Sequence, residues 1–188
     1  MEKSKLTKEK AQRRQLIQEA FSTVERALAL NDKNFACHKW YGILLDAKAE
    51  YDGTKARLLC AYKTKEHFLR AAELNQKDAT TLYLLGIWCF TFADLPWYQR
   101  KIASAIFTTP PSSTYDEALK YFHRAEQTDP SFYSKNTLML GKTYLRLGNK
   151  KMALLYLTKA REFPLNTEDD RDANKEAEEL LKSMGIKF

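Results

Sequence analysis

Four stretches of the chain end alike, and that likeness constrains the fold more than any single residue does. They read VERALALN (Val24 to Asn31), FLRAAELN (Phe68 to Asn75), FHRAEQTD (Phe122 to Asp129) and LTKAREFP (Leu157 to Pro164). Each has a large apolar residue, two further residues and then an alanine, at Ala27, Ala71, Ala125 and Ala160. Three stretches share a beginning: WYGILL around Gly42, LLGIWCF around Gly86 and MLGKTY around Gly141. Recurrence of this kind marks stacked units, none of which buries its apolar face alone. An alanine-rich amphipathic helix matches one such pattern by chance; several matches in register are another matter.

The pattern is that of the tetratricopeptide repeat, a helix–turn–helix unit of roughly 34 residues with small residues where its two helices cross closely. In the last repeat Gly141, Tyr144, Ala153, Leu157 and Ala160 take the signature places, and Gly141 to Ala160 spans 19 residues without insertion. The third supplies Gly86, Ala118, Phe122, Ala125 and Pro130, but Gly86 to Ala125 spans 39 residues, an insertion of 20. In the second, Gly42 to Ala71 spans 29, an insertion of 10. A first, incomplete repeat offers Ala20, Val24 and Ala27 on one helix.

The fold expected is therefore all-α: a tetratricopeptide-like helical solenoid forming a single domain over residues 1–188. A first helix spans 5–30, repeats cover 34–76, 78–130 and 134–165, and a long aromatic insertion occupies 94–113. Caps and breakers place helices at about 34–51, 55–74, 78–93, 114–127, 134–147 and 150–162. Asp52-Gly53, Asp129-Pro130 and Leu147-Gly148-Asn149 read as turns, and Ser112-Ser113-Thr114 before Asp116 and Glu117 as a helix start. A final helix over 167–184, acidic early and apolar at Ala173, Ala177, Leu180 and Leu181, reads as the cap that a repeat array needs. The insertion is too apolar for a plain loop. Its Gln99 to Phe107 stretch suits a short amphipathic helix packing against the array.

Composition agrees. The chain has 188 residues, only six Gly and five Pro, and 31 Lys and Arg against 24 Asp and Glu, a net charge of +7. A positive balance favours acidic partners. Cys37, Cys60 and Cys89 form neither a disulfide scaffold nor a zinc motif, which fits a reducing, cytoplasmic setting. The longest apolar run, Leu82 to Phe90, falls short of the ~20 residues a membrane span requires, so no transmembrane segment is expected. The charged N-terminal MEKSKLTKEKAQRRQ does not read as a secretory signal.

FACHKWYGILL (Phe35 to Leu45), KTKEHFLRAAELNQKDAT (Lys63 to Thr80), the stretch from Gly86 to Pro130 and FYSKNTLMLGKTYL (Phe132 to Leu145) resemble the regulator of microtubule dynamics family. The likeness runs from about Glu19 to Leu181, and the Trp97-Tyr98 to Pro111 insertion is its specific part. The resemblance implies a tetratricopeptide-like domain that associates with microtubules and supports spindle behaviour and chromosome segregation. A related member tethers endoplasmic reticulum to mitochondria and binds phospholipid through the equivalent domain. The implied setting is cytoplasmic, on microtubules and the spindle, with mitochondrial or other organelle association open to the full-length protein.

No catalytic constellation emerges, and the chain is expected to be non-enzymatic, without cofactor or metal. His38, His67 and His123 fall on three different helices with no sequence-local nucleophile partner. His38 reads as a packing or capping residue near Trp40. The six glycines form no phosphate loop.

A binding surface is the better expectation. The first helix of each repeat lines the concave face, at Lys39, Ile43 and Asp46, then Thr80, Tyr83, Ile87 and Phe90, then Lys135, Leu138, Lys142, Leu145 and Arg146. The groove is thus expected to be apolar and aromatic centrally, with a basic wall on its C-terminal side. Trp97, Arg100 and Lys101 of the insertion join Lys39, Tyr83, Ile87, Phe90, Lys135, Lys142 and Arg146 as partner-binding candidates. Residues 161–188 carry five basic and eight acidic side chains, −3, which leaves +10 on residues 1–160. Such a body suits the acidic tails of tubulin, through fields that weaken with salt. An anionic phospholipid is the alternative ligand, with Trp97, Ile102, Ile106 and Phe107 enclosing acyl chains. Nucleic acid is disfavoured for want of a reading motif. Trp40 stands where a carboxylate clamp would want Asn, which argues against C-terminal peptide carboxylates.

Overall fold

The computed structural model describes residues 2–187, with side chains from residue 9 onward. Helices occupy α1 (Glu2–Leu30), α2 (Phe35–Asp52), α3 (Thr54–Leu74), α4 (Ala79–Ala93), α5 (Trp97–Ile106), α6 (Tyr115–Thr128), α7 (Ser134–Arg146), α8 (Lys150–Arg161) and α9 (Glu168–Ser183). No strand occurs among the described residues. The fold is all-α and tetratricopeptide-like, and apart from α1 and α5 each helix boundary lies within one residue of the sequence expectation.

Local chemistry explains the boundaries. Asn34, Asp78 and Asn149 accept backbone N–H groups of Ala36, Thr81 and Met152 at the starts of α2, α4 and α8. Thr114 and Thr167 form capping boxes with Glu117 and Asp170, so two orphan donors at each helix start are satisfied reciprocally. The α7 end closes on Gly148 at φ +74°, with Gly148 N–H on the Leu145 carbonyl and Asn149 N–H on that of Tyr144. That is a Schellman closure, and its left-handed residue favours glycine because an L side chain strains the backbone at this φ.

Where the sequence reads as one domain over 1–188, the helices gather into two compact units. Among the described residues, unit 1 holds 2–76 and 95–111, and unit 2 holds 77–94 and 112–187. In unit 1, α2 pairs with α3, α1 lies on α2, and α5 lies on α3. Phe21, Val24 and Tyr41 form the α1–α2 core. In unit 2, α4 pairs with α6 across the insertion, α7 pairs with α8, and α9 packs on both. Leu138, Leu157 and Ala160 bury against Ala173, Ala177 and Leu181 of α9, the cap the sequence anticipated.

Three close crossings carry the repeat register. A Cβ placed on Gly42 would lie 2.5 Å from the Phe68 ring, and one on Gly86 2.5 Å from the Phe122 ring. On Gly141 it would lie 2.7 Å from Leu157 Cγ and 3.1 Å from the Leu157 backbone nitrogen. Each glycine thus meets the bulky residue that the repeat sets against it.

The insertion forms a helix two residues earlier than the Gln99 start expected. Pro96 fixes the entry, and its carbonyl accepts the Arg100 N–H at 3.0 Å. Ala103 is buried, Ile102, Ile106 and Phe107 are half-buried, and Trp97 and Tyr98 are exposed. Phe107 meets the Tyr62 ring edge-on at 5.7 Å, and the Tyr62 hydroxyl donates to the Thr109 carbonyl at 2.7 Å.

Candidate functional site

Six of the ten partner-binding candidates come together in unit 2. Tyr83, Ile87 and Phe90 share one face of α4, and Lys135, Lys142 and Arg146 share one face of α7, as helical spacing dictates. Tyr83 is half-buried, edge-on to Tyr133 at 5.1 Å, and burial raises its phenol above the usual range. Phe90 is buried, edge-on to Tyr115 at 5.6 Å. A cavity of about 430 Å³ lies here, its lining including Tyr83, Lys135, Leu138, Asp172 and Glu176.

The basic wall expected on this face exists as residues but not as free charge. Lys135 pairs with Asp169, and Lys142 with Glu176, both acids of α9. Arg146 grips Asp94 through two hydrogen bonds of 2.8 and 3.0 Å. The Arg146 guanidinium, with the Tyr115 hydroxyl at 2.6 Å, holds the Asp94 carboxyl below the ordinary carboxylate range. Lys135, then Tyr133, does the same for Asp169. Helix α9 is seated by a further bond, from the Ser134 hydroxyl to Asp170 at 2.5 Å, in buried surroundings. The acidic early turns that mark α9 as a cap are therefore spent on the cations of α7.

The other four candidates lie in unit 1. Lys39, on α2, sets its ammonium 5.3 Å from the centre of the Phe35 ring. On α5, Trp97 is 70% exposed and Tyr98 50%. Lys101 places its ammonium 5.4 Å from the centre of the Trp97 ring, and Arg100 Nε donates to the Leu95 carbonyl at 2.6 Å. Neither Arg100 nor Lys101 has an ion-pair partner among the described residues.

Charge divides between the units in the same sense. Unit 1 holds 17 Lys and Arg against 10 Asp and Glu, +7, whereas unit 2 holds 14 of each. The whole excess of the chain resides in unit 1, whereas the basic wall expected from the sequence belongs to α7 of unit 2, which is neutral in sum.

Sequence reasoning missed one polar cluster. His38 and His67 bring their Nδ1 atoms within 3.0 Å, and His38 Nε2 lies 2.8 Å from the Asp32 carbonyl. Since a carbonyl only accepts, His38 Nε2 carries a proton, and in a neutral pair its Nδ1 then accepts from His67 Nδ1. The His67 ring stacks on Tyr41 at 4.0 Å, and burial, His38 and Lys63 lower its pKa. A cavity of about 670 Å³ adjoins the pair, its lining including Tyr62, Lys65, Leu69 and Arg70. The signal was present: His67 directly precedes Phe68, the residue that meets Gly42, four places after His38. No cluster of three or more metal-ligating side chains occurs among the described residues, and no single helix there is long and apolar enough to cross a membrane.

The family model for regulator of microtubule dynamics protein 1-3 matches residues 1–185. Over 172 residues the chain is 56% identical to regulator of microtubule dynamics protein 1 of Homo sapiens, covering 92% of this chain and 55% of the relative. It is 39% identical over 157 residues to regulator of microtubule dynamics protein 3 of Xenopus laevis, covering 84% of this chain and 34% of that one. The chain thus spans about 55% of the length of the protein 1 relative. Among solved structures, YrrB, described as a TPR protein with an unusual peptide-binding site, superposes with a TM-score of 0.56 at 20% identity, covering 88% of this chain and 68% of YrrB. The MamA protein gives 0.52 at 17%, covering 92% and 70%. At such identities these two likenesses speak for the fold. Family model and relatives together establish that the chain belongs to the regulator of microtubule dynamics protein 1-3 family.

Proposed function

We propose that this domain is a non-enzymatic interaction module that binds microtubules through the cationic surface of unit 1, engaging the acidic tails of tubulin and supporting spindle function and chromosome segregation. The observation that carries the reading is the segregation of charge: +7 on unit 1 and zero on unit 2, in a chain whose relatives are named for microtubule dynamics. The field of a net positive surface steers acidic polymers and collapses as ions screen it, over about 10 Å at 0.1 M salt. In this reading the domain works in the cytoplasm, on microtubules and the spindle. Cosedimentation with polymerised tubulin tests it: binding is to fall as salt rises and after proteolytic removal of the tubulin tails. Salt-insensitive binding, or none, overturns the reading.

A second reading, a phospholipid-binding domain of an organelle-contact tether, draws on Trp97 and Tyr98, exposed beside Arg100 and Lys101 as interfacial anchors are. It requires a lipid that copurifies in native mass spectrometry, and a clean protein mass overturns it.

A further inference from the structure

We propose that the N-terminal half of α5 is the contact through which the domain holds an acidic, glutamate-rich peptide, with Trp97 and Tyr98 as the apolar anchors and Arg100 and Lys101 as the anion-binding groups. The proposal rests on the microtubule reading above and names its site. Of the cations singled out from the sequence, Lys135, Lys142 and Arg146 have a carboxylate each. Arg100 and Lys101 do not, and residues 95–111 contain no Asp or Glu at all. Positions 97, 100 and 101 lie one helical turn apart, so the indole and both charges share a face. Because Arg100 uses only its Nε on the Leu95 carbonyl, the two terminal nitrogens of its guanidinium remain for a carboxylate. Lys101, resting over the Trp97 ring, holds its ammonium beside an apolar plate on which the methylenes of a glutamate can lie. The free N–H groups of the first turn add positive potential in the same place.

An extended acidic chain suits this patch better than a bilayer does. A helix lying in a membrane offers its whole apolar face to lipid. Here Ala103 is buried, and Ile102, Ile106 and Phe107 are half-buried as α5 packs on α3, which leaves two aromatic rings and two cations outward.

Three variants of the full chain test the proposal: Arg100→Glu/Lys101→Glu, Trp97→Ala, and Lys150→Glu/Lys151→Glu as a control with the same charge change on unit 2. Each is compared with the parent in tubulin cosedimentation, in titration with a synthetic polyglutamate peptide, and with phosphatidylcholine vesicles containing phosphatidylserine. The first two are to weaken polymer and peptide binding about tenfold, the loss typical of a central contact, with the control close to the parent. Equal losses in the control and the α5 pair refute a localised site. A parent that binds polyglutamate through α5 but ignores tubulin leaves the site standing and removes the microtubule reading. A parent that binds tubulin while the α5 variants match it removes the site alone. Vesicle binding that needs Trp97, with no response to peptide, assigns the patch to a membrane and overturns the proposal.

Discussion

At the scale of single residues, the fold is held to its register by absence of side chain at three crossings. Gly141 is the most demanding, because the Leu157 backbone nitrogen, which cannot rotate away, lies 3.1 Å from where a Cβ would stand. Gly141→Leu is expected to cost about 1–3 kcal/mol through overpacking, seen as a lowered thermal midpoint. An unchanged midpoint would mean that α7 and α8 do not cross there. Histidine gives the pH dependence. His67 and His123 both have folded pKa values below the ordinary 6.5, in each case chiefly through burial. Above that value both folded and unfolded chains leave them neutral, so nothing is gained or lost. Below it the unfolded chain takes up protons that the folded one resists, so stability declines as pH drops from 6.5 towards the folded values. Urea midpoints measured between pH 7.5 and 5.5, above the main carboxylate range, should fall, and His67→Gln should flatten part of that slope. A slope identical in the variant would exclude His67 as a source.

At the scale of elements, α9 is both the apolar lid of unit 2 and the counter-charge to α7. Reversing Lys142 and Arg146 to Glu therefore attacks the molecule's own contacts, with Glu176 and Asp94, before it attacks any partner's. Pairs this open to solvent, one part-buried and one exposed, are individually weak, so the double variant should lose about 1–2 kcal/mol from lost pairing and new repulsion together. Adding Glu176→Lys should recover part of that loss in a thermal melt. No recovery would show that the Lys142 pairing is energetically idle. Helix α5 teaches a related lesson. Its amphipathic pattern was legible, and so was its apolar mass. That Ile102 and Phe107 turn inward while Trp97 stays 70% exposed follows only from where α3 offers a surface.

At the scale of the whole molecule, the chain itself specified a great deal. Alanine and glycine spacing fixed which residues cross, Asn, Asp and Thr fixed where helices begin, and the net charge of +7 needed no coordinates. These are properties of neighbours along the chain or of a repeat whose period is written in it. Tertiary structure alone decided which charges survive. Lys142 meets an acid 34 residues away, Arg146 one 52 residues away, and His38 an imidazole 29 residues away. A Coulomb interaction depends on distance in space, and helix packing, unlike helix formation, is what brings such remote positions within reach.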